Sequence, residues 1–176
     1  MESLKIIGFC IFAAIVYGVV HDQFTARICV EYFTVFHPPV FPTQSPTLLA
    51  FGWGVIATWW VGAFLGLLLC FAARFGPRPK LTVRDLTGPV IKLLVVMACS
   101  ALFFGMLGYF MGRVPVYWAN AIPSSIHRRF VADWWAHGAS YASGFMGGLL
   151  VCVLMYTKRG RLASAAKLPS PTVASS

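Results

Sequence analysis

At 176 residues, 59% apolar and only 11% charged, the chain departs from a soluble domain, in which roughly a quarter of residues carry charge. The formal net charge of +9 sits between hydrophobic runs rather than in an aromatic-laced basic patch, so nucleic acid is excluded as a partner and topology accounts for the charge. The partners expected are the lipid bilayer and either other membrane subunits or a second copy of the chain.

Four segments approach the roughly 20 residues that cross about 30 Å of hydrocarbon: 4–20, 48–73, 90–111 and 134–156. The expected fold is all-α: an integral membrane four-helix bundle over residues 1–157, capped by two ordered extracytoplasmic loops and followed by a disordered cytoplasmic tail over 158–176. The first segment is short and carries Lys5, as the h-region of a signal peptide would, but Tyr17-Gly18-Val19-Val20 matches an A-x-A-like cleavage site poorly. After it comes a loop, 21–47, too long and too apolar to be a mere connector. Within that loop residues 28–36 have the β-branched and aromatic content of a strand, yet they equally suit an extension of the first helix, and composition leaves helix and strand both open for 22–37. Pro38, Pro39, Pro42 and Pro46 then end any regular element.

The second span repeats small residues at every fourth position, Ala50, Gly54, Thr58, Gly62, Gly66 and Cys70. Lipid-buried helices gain little hydrophobic energy from touching, so such a stripe matters because it lets two backbones approach and maximise dispersion contacts. A basic turn with Arg74, Arg78, Lys80 and Arg84 leads to the third span, where Gly108 and Gly112 form a further small-residue pair. In the second outer loop, Ser124 or Ser125 is placed to cap a helix running into the fourth span, and Ile126, Phe130 and Trp134 form an apolar ridge on its first turns. The fourth span has its own stripe, Ala136, Ser140, Gly144, Gly148 and Cys152. Gly54, Gly62, Gly66, Ser140, Gly144 and Gly148 are therefore the candidate packing positions, and the two stripes predict close contact between spans two and four. Nine Lys and Arg on the side of the termini, Lys5, Arg74, Arg78, Lys80, Arg84, Lys158, Arg159, Arg161 and Lys167, face Arg27, Arg113, Arg128 and Arg129 on the other. The excess puts both termini in the cytoplasm of an inner or plasma membrane protein.

One polar constellation stands out. At about 100° per residue, Asp133, His137, Tyr141, Gly144 and Gly148 share a face within roughly 40° of His137, which should point into the bundle near its outer mouth. All four histidines and three of the five acids lie on that outer side. An ionisable group at the edge of a span faces protein or a water-filled cavity, which makes it a functional candidate. His21, Glu31, His37, Asp133 and His137 form the candidate ligand set for a divalent transition metal, imidazole and carboxylate being its usual donors. The spacing alone is unspecific: no H-E-x-x-H, H-x-H or C-x-x-C occurs, and an i, i+4 Asp–His pair also serves simply to fix helix register. A haem or other pigment would have to use His21 and His137, the one pair that could sit at similar depth on facing helices. Arg27 with Glu31, and Arg128 or Arg129 with Asp133, have ion-pair spacing if helical. Cys29, the one loop cysteine, reads as a small buried residue.

Three functions fit these residues. The small-residue faces suit a structural or accessory subunit of a larger membrane complex, the outer histidines and acids suit an extracytoplasmic metal-binding protein, and four spans suit a small transporter or channel only as an oligomer. No catalytic constellation supports enzymatic activity.

Overall fold

The computed structural model describes residues 1–166. Its elements are α1 (Glu2–Ile28), a wide helical turn at Tyr32–Phe36, α2 (Pro46–Ile56), α3 (Trp59–Arg74), α4 (Val83–Met111), α5 (Val116–Ala119), a tight turn at Ser124–Ile126 and α6 (His127–Ala165). No strand occurs among the described residues, so the open question over 22–37 resolves as helix through Ile28 followed by one wide turn. Four helical stretches, Glu2–Ile28, Pro46–Arg74, Val83–Met111 and Ser124–Ala165, are long and apolar enough to cross a membrane.

Each stretch outruns its expected span because hydropathy marks where the polar residues start, whereas a helix stops only where the backbone must. In α1 nothing from His21 to Ile28 breaks a helix, so the chain adds two further turns and carries His21 and Asp22 on helical backbone. The second stretch is interrupted at Ala57 and Thr58, where the Thr58 hydroxyl donates back to the Gly54 carbonyl. At the start of α6 neither Ser124 nor Ser125 supplies a side-chain cap; the tight turn closes instead through the Ile126 N–H on the Pro123 carbonyl, 3.0 Å. Residues 158–165, expected in the disordered tail, continue α6, and residues 167–176 of that expected tail lie outside the described residues.

The packing is two antiparallel pairs laid side by side. Span one pairs with span two through the stripe of the latter: a Cβ on Gly54 would lie 2.6 Å from the Val19 Cα, one on Gly62 2.7 Å from the Cys10 carbonyl oxygen, and one on Gly66 2.9 Å from the Cys10 Cβ. Span three pairs with span four, Gly105 and Gly108 lying against Ala132, Val131 and Trp135. Spans two and four do touch, with Leu65 against Gly148, but Gly54, Gly62 and Gly66 face α1 and Gly144 faces Met97 of α4. The expected contact between spans two and four is therefore present, but the stripe of span two lies against α1 rather than against the stripe of span four.

Buried apolar residues fall into two groups. One, with Ile6, Leu69, Ala73, Leu86 and Met155, lies at the end of the bundle bearing the termini. The other, at the opposite end, unites Ala26, Tyr32 and Phe33 with Leu49, Trp53, Ile122 and Phe130, so both long loops pack onto helix ends there. The apolar ridge of α6 is part of this group, with Ile126 and Phe130 buried and Trp134 packed against it.

Candidate metal site

The second apolar group encloses a polar cluster. His21 and Asp22 come from α1 and His137 from α6, and one donor atom from each lies within 4.8 Å of the others. Asp22 and His137 are buried, 5% and 8% exposed. Donors sharing one ion at about 2.1 Å stand roughly 3 to 3.4 Å apart, so the three need only a small closure to bind one.

Hydrogen bonding sets the state of His137. Its Nδ1 lies 2.8 Å from the Asp133 carbonyl oxygen, which only accepts, so Nδ1 carries a proton. Nε2 is then the atom free to present a lone pair, and it lies 3.2 Å from Asp22 Oδ1. A single proton shared between Nε2 and the carboxyl completes that contact. A metal ion would replace this proton, and an imidazole whose other nitrogen donates to a carbonyl is the usual arrangement of a histidine ligand. His21 Nε2 is buried and has no hydrogen-bond partner, a costly state that a cation would relieve.

Aromatic rings hold the imidazoles in place. Tyr32 stacks on His137 with ring centroids 4.5 Å apart, Phe33 meets its edge at 5.7 Å, and Tyr17 stacks on His21 at 5.8 Å. The wide turn at Tyr32–Phe36 carries Tyr32 and Phe33 back over the end of the bundle, while Tyr17 stands on α1 itself. His21 and His137 themselves meet edge to face at 4.6 Å. Rings in direct contact leave no room for a porphyrin between them, which corrects the haem geometry considered from sequence.

Of the five expected ligands, His21 and His137 are in the cluster and three are not. His37 lines the same cavity, packed on Trp53 with its Nδ1 donating to the Tyr32 carbonyl at 2.9 Å. Its burial lowers its proton affinity below the ordinary histidine range, against the opposing effect of that carbonyl. Glu31 instead accepts from the Cys29 thiol at 3.4 Å. Asp133 is fully buried, contributes its backbone carbonyl to His137, and has both carboxyl oxygens without a partner. It lines a groove between α1 and α4 rather than the cavity.

Asp22 fills the acid's place, and ending the first span at Val20 is what hid it. The adjacent pair His21-Asp22 opposite a His on another helix was the signal available. The expected ion pairs do not form: Arg27 donates to Gln23 and Thr47, and the salt bridges among the described residues are Glu2–Lys5, Asp22–His137 and Asp85–Lys158.

Cys29 is buried, and burial, the largest influence on it, pushes its thiol up to about 12. A raised value means little thiolate at mildly alkaline pH, so Cys29 should resist iodoacetamide in the folded protein and react once denatured. Mass spectrometry of the labelled protein reads this directly, and full labelling of the native state would contradict it.

Fold and site together define a chain of four membrane-length apolar helices enclosing a buried histidine–aspartate cluster at one end. No protein-family model matches it, and no curated protein or solved structure is similar to it.

Proposed function

We propose that this chain is an integral membrane protein that binds a divalent transition metal through His21, Asp22 and His137. The observation carrying the reading is the convergence of these three donors from two helices inside a buried apolar shell, with one imidazole already oriented by a carbonyl and the other lacking any partner. Two neutral nitrogens and one carboxylate suit Zn, Mn, Fe or Cu(II) and leave coordination positions open. The Lys and Arg distribution supports cytoplasmic termini, which puts the metal site and the loops that cover it on the extracytoplasmic face of an inner or plasma membrane. An accessory-subunit role drew its support from small-residue faces; Gly18, Gly54, Gly62 and Gly66 are occupied inside the bundle and so supply no face of their own for another subunit.

Elemental analysis of protein purified in mild detergent should find one metal ion per chain. Asp22→Ala and His137→Ala should each weaken binding by roughly tenfold or more, whereas Glu31→Ala should not. Wild-type protein without bound metal after incubation with zinc would overturn the proposal.

A further inference from the structure

A cavity of about 140 Å³ adjoins the cluster. It begins at His21, Asp22 and His137 and ends among Cys10, Leu69 and Val151. Along α1 the distance from His21 to Cys10 is roughly 16 Å at 1.5 Å per residue. The polarity of the wall is one-sided. The Tyr17 and Ser140 hydroxyls, bonded to each other at 2.7 Å, mark the lower limit of the polar end. Beyond them, toward Val151, the lining side chains carry no hydroxyl, amide or charge.

Glycines shape this space as well as the helix contacts. Gly62, Gly144 and Gly148 line it, and a Cβ on Gly144 would meet the Met97 Cε at 2.9 Å. At about 140 Å³ the slot has the capacity of a cavity that takes benzene, enough for a chain of roughly six to eight carbons. An apolar slot ending on a polar cluster has the shape of a single-chain amphiphile seated head-first against the cluster.

Charge selects the head. A divalent ion on two neutral imidazoles and one aspartate keeps one net positive charge at the edge of hydrocarbon, an expensive state unless an anion joins it. The other acids nearby do not enter the cavity: Asp133 lines the α1–α4 groove and Glu31 is engaged by Cys29. We infer that the bundle binds a fatty carboxylate of roughly six to eight carbons, its head completing the coordination of the metal and its tail lying in the slot between α1, α3, α4 and α6. This rests on the metal reading and adds the ligand class to it.

The test uses the full chain in non-ionic detergent, loaded with zinc or stripped by chelator, titrated with octanoate and with octanol. Zinc-loaded protein should bind one octanoate, and stripping the zinc, replacing octanoate by the alcohol, or blocking the slot with Val61→Trp should each weaken binding by roughly tenfold or more. Zinc uptake by Val61→Trp, whose new side chain lies away from the donors, reports that the variant is folded; Leu93→Trp blocks from the facing wall and serves if Val61→Trp takes up no zinc. Zinc binding without octanoate binding, equal affinity for the alcohol, or octanoate binding indifferent to both blocking variants would overturn the fatty-carboxylate inference and leave the metal site standing. Failure to bind zinc at all would overturn both.

Discussion

Arg159→Ala is expected to be the most damaging single truncation at the end of the bundle bearing the termini, lowering stability by roughly 3 kcal/mol. Arg159 is fully buried with no acidic partner among the described residues, yet all three of its guanidinium nitrogens donate: Nε to the Pro79 carbonyl at 2.8 Å, one terminal nitrogen to Ala72 at 2.8 Å, and the other to Phe75 at 2.8 Å and Arg78 at 3.1 Å. Ala72 and Phe75 bring the unsatisfied carbonyls of the C-terminal end of α3, where the helix dipole also favours a cation. Truncation leaves these carbonyls buried and unpaired, which is the larger part of the cost. Arg159→Lys should recover less than half, because one ammonium does not reproduce a planar five-donor fork aimed at four oxygens. Thermal unfolding in detergent, read by tryptophan fluorescence, checks both variants; a midpoint unchanged by the alanine would show that this network is not what holds the 75–82 loop.

The second large effect is at the crossing of α1 and α2. Gly54→Leu should prevent assembly of the native bundle, and Gly54→Ala should destabilise it by about 2 kcal/mol. Even a methyl group at 54 meets backbone, the Val19 N and Cα at 2.6 Å, and no rotamer change relieves that; the reciprocal Cβ at Gly18 would lie 2.7 Å from the Gly54 carbonyl oxygen. The helices would have to separate, losing dispersion contacts along the whole seam, the main force between helices in lipid. Gly138 supplies the comparison. It is exposed on α6 with nothing within 4 Å of a built Cβ, so Gly138→Ala should be neutral or stabilising by up to about 1 kcal/mol. Size-exclusion profiles and unfolding midpoints of the three variants distinguish a steric seam from a general intolerance of glycine replacement.

The two cases differ in how far the sequence announced them. The every-fourth-residue recurrence at Gly54, Gly62 and Gly66 is visible without a structure because close helix approach demands small side chains wherever it occurs. Arg159 was legible only as one more positive charge next to a span. Burial of a guanidinium depends on carbonyls from 72 to 79 being folded back beneath it, and nothing in the local sequence of α6 encodes that loop's path.

The candidate site divides in the same way. That His137 faces the interior follows from helical periodicity and the cost of turning an imidazole to lipid, both local properties. That its Nε2 meets Asp22, and not Glu31 or the carboxylate of Asp133 four residues before it, depends on how far α1 runs past its apolar stretch.

Composition and periodicity by themselves determined the solvent, the number of long apolar helices and the small-residue faces, because each follows from the free energy of a residue in lipid and the 3.6-residue turn. Tertiary structure alone decided which faces meet, which polar atoms converge and where the interior stays open. Those outcomes turn on helix ends, loop paths and fractions of an ångström at glycine contacts, and such quantities are properties of two segments at once, carried by neither segment's own sequence.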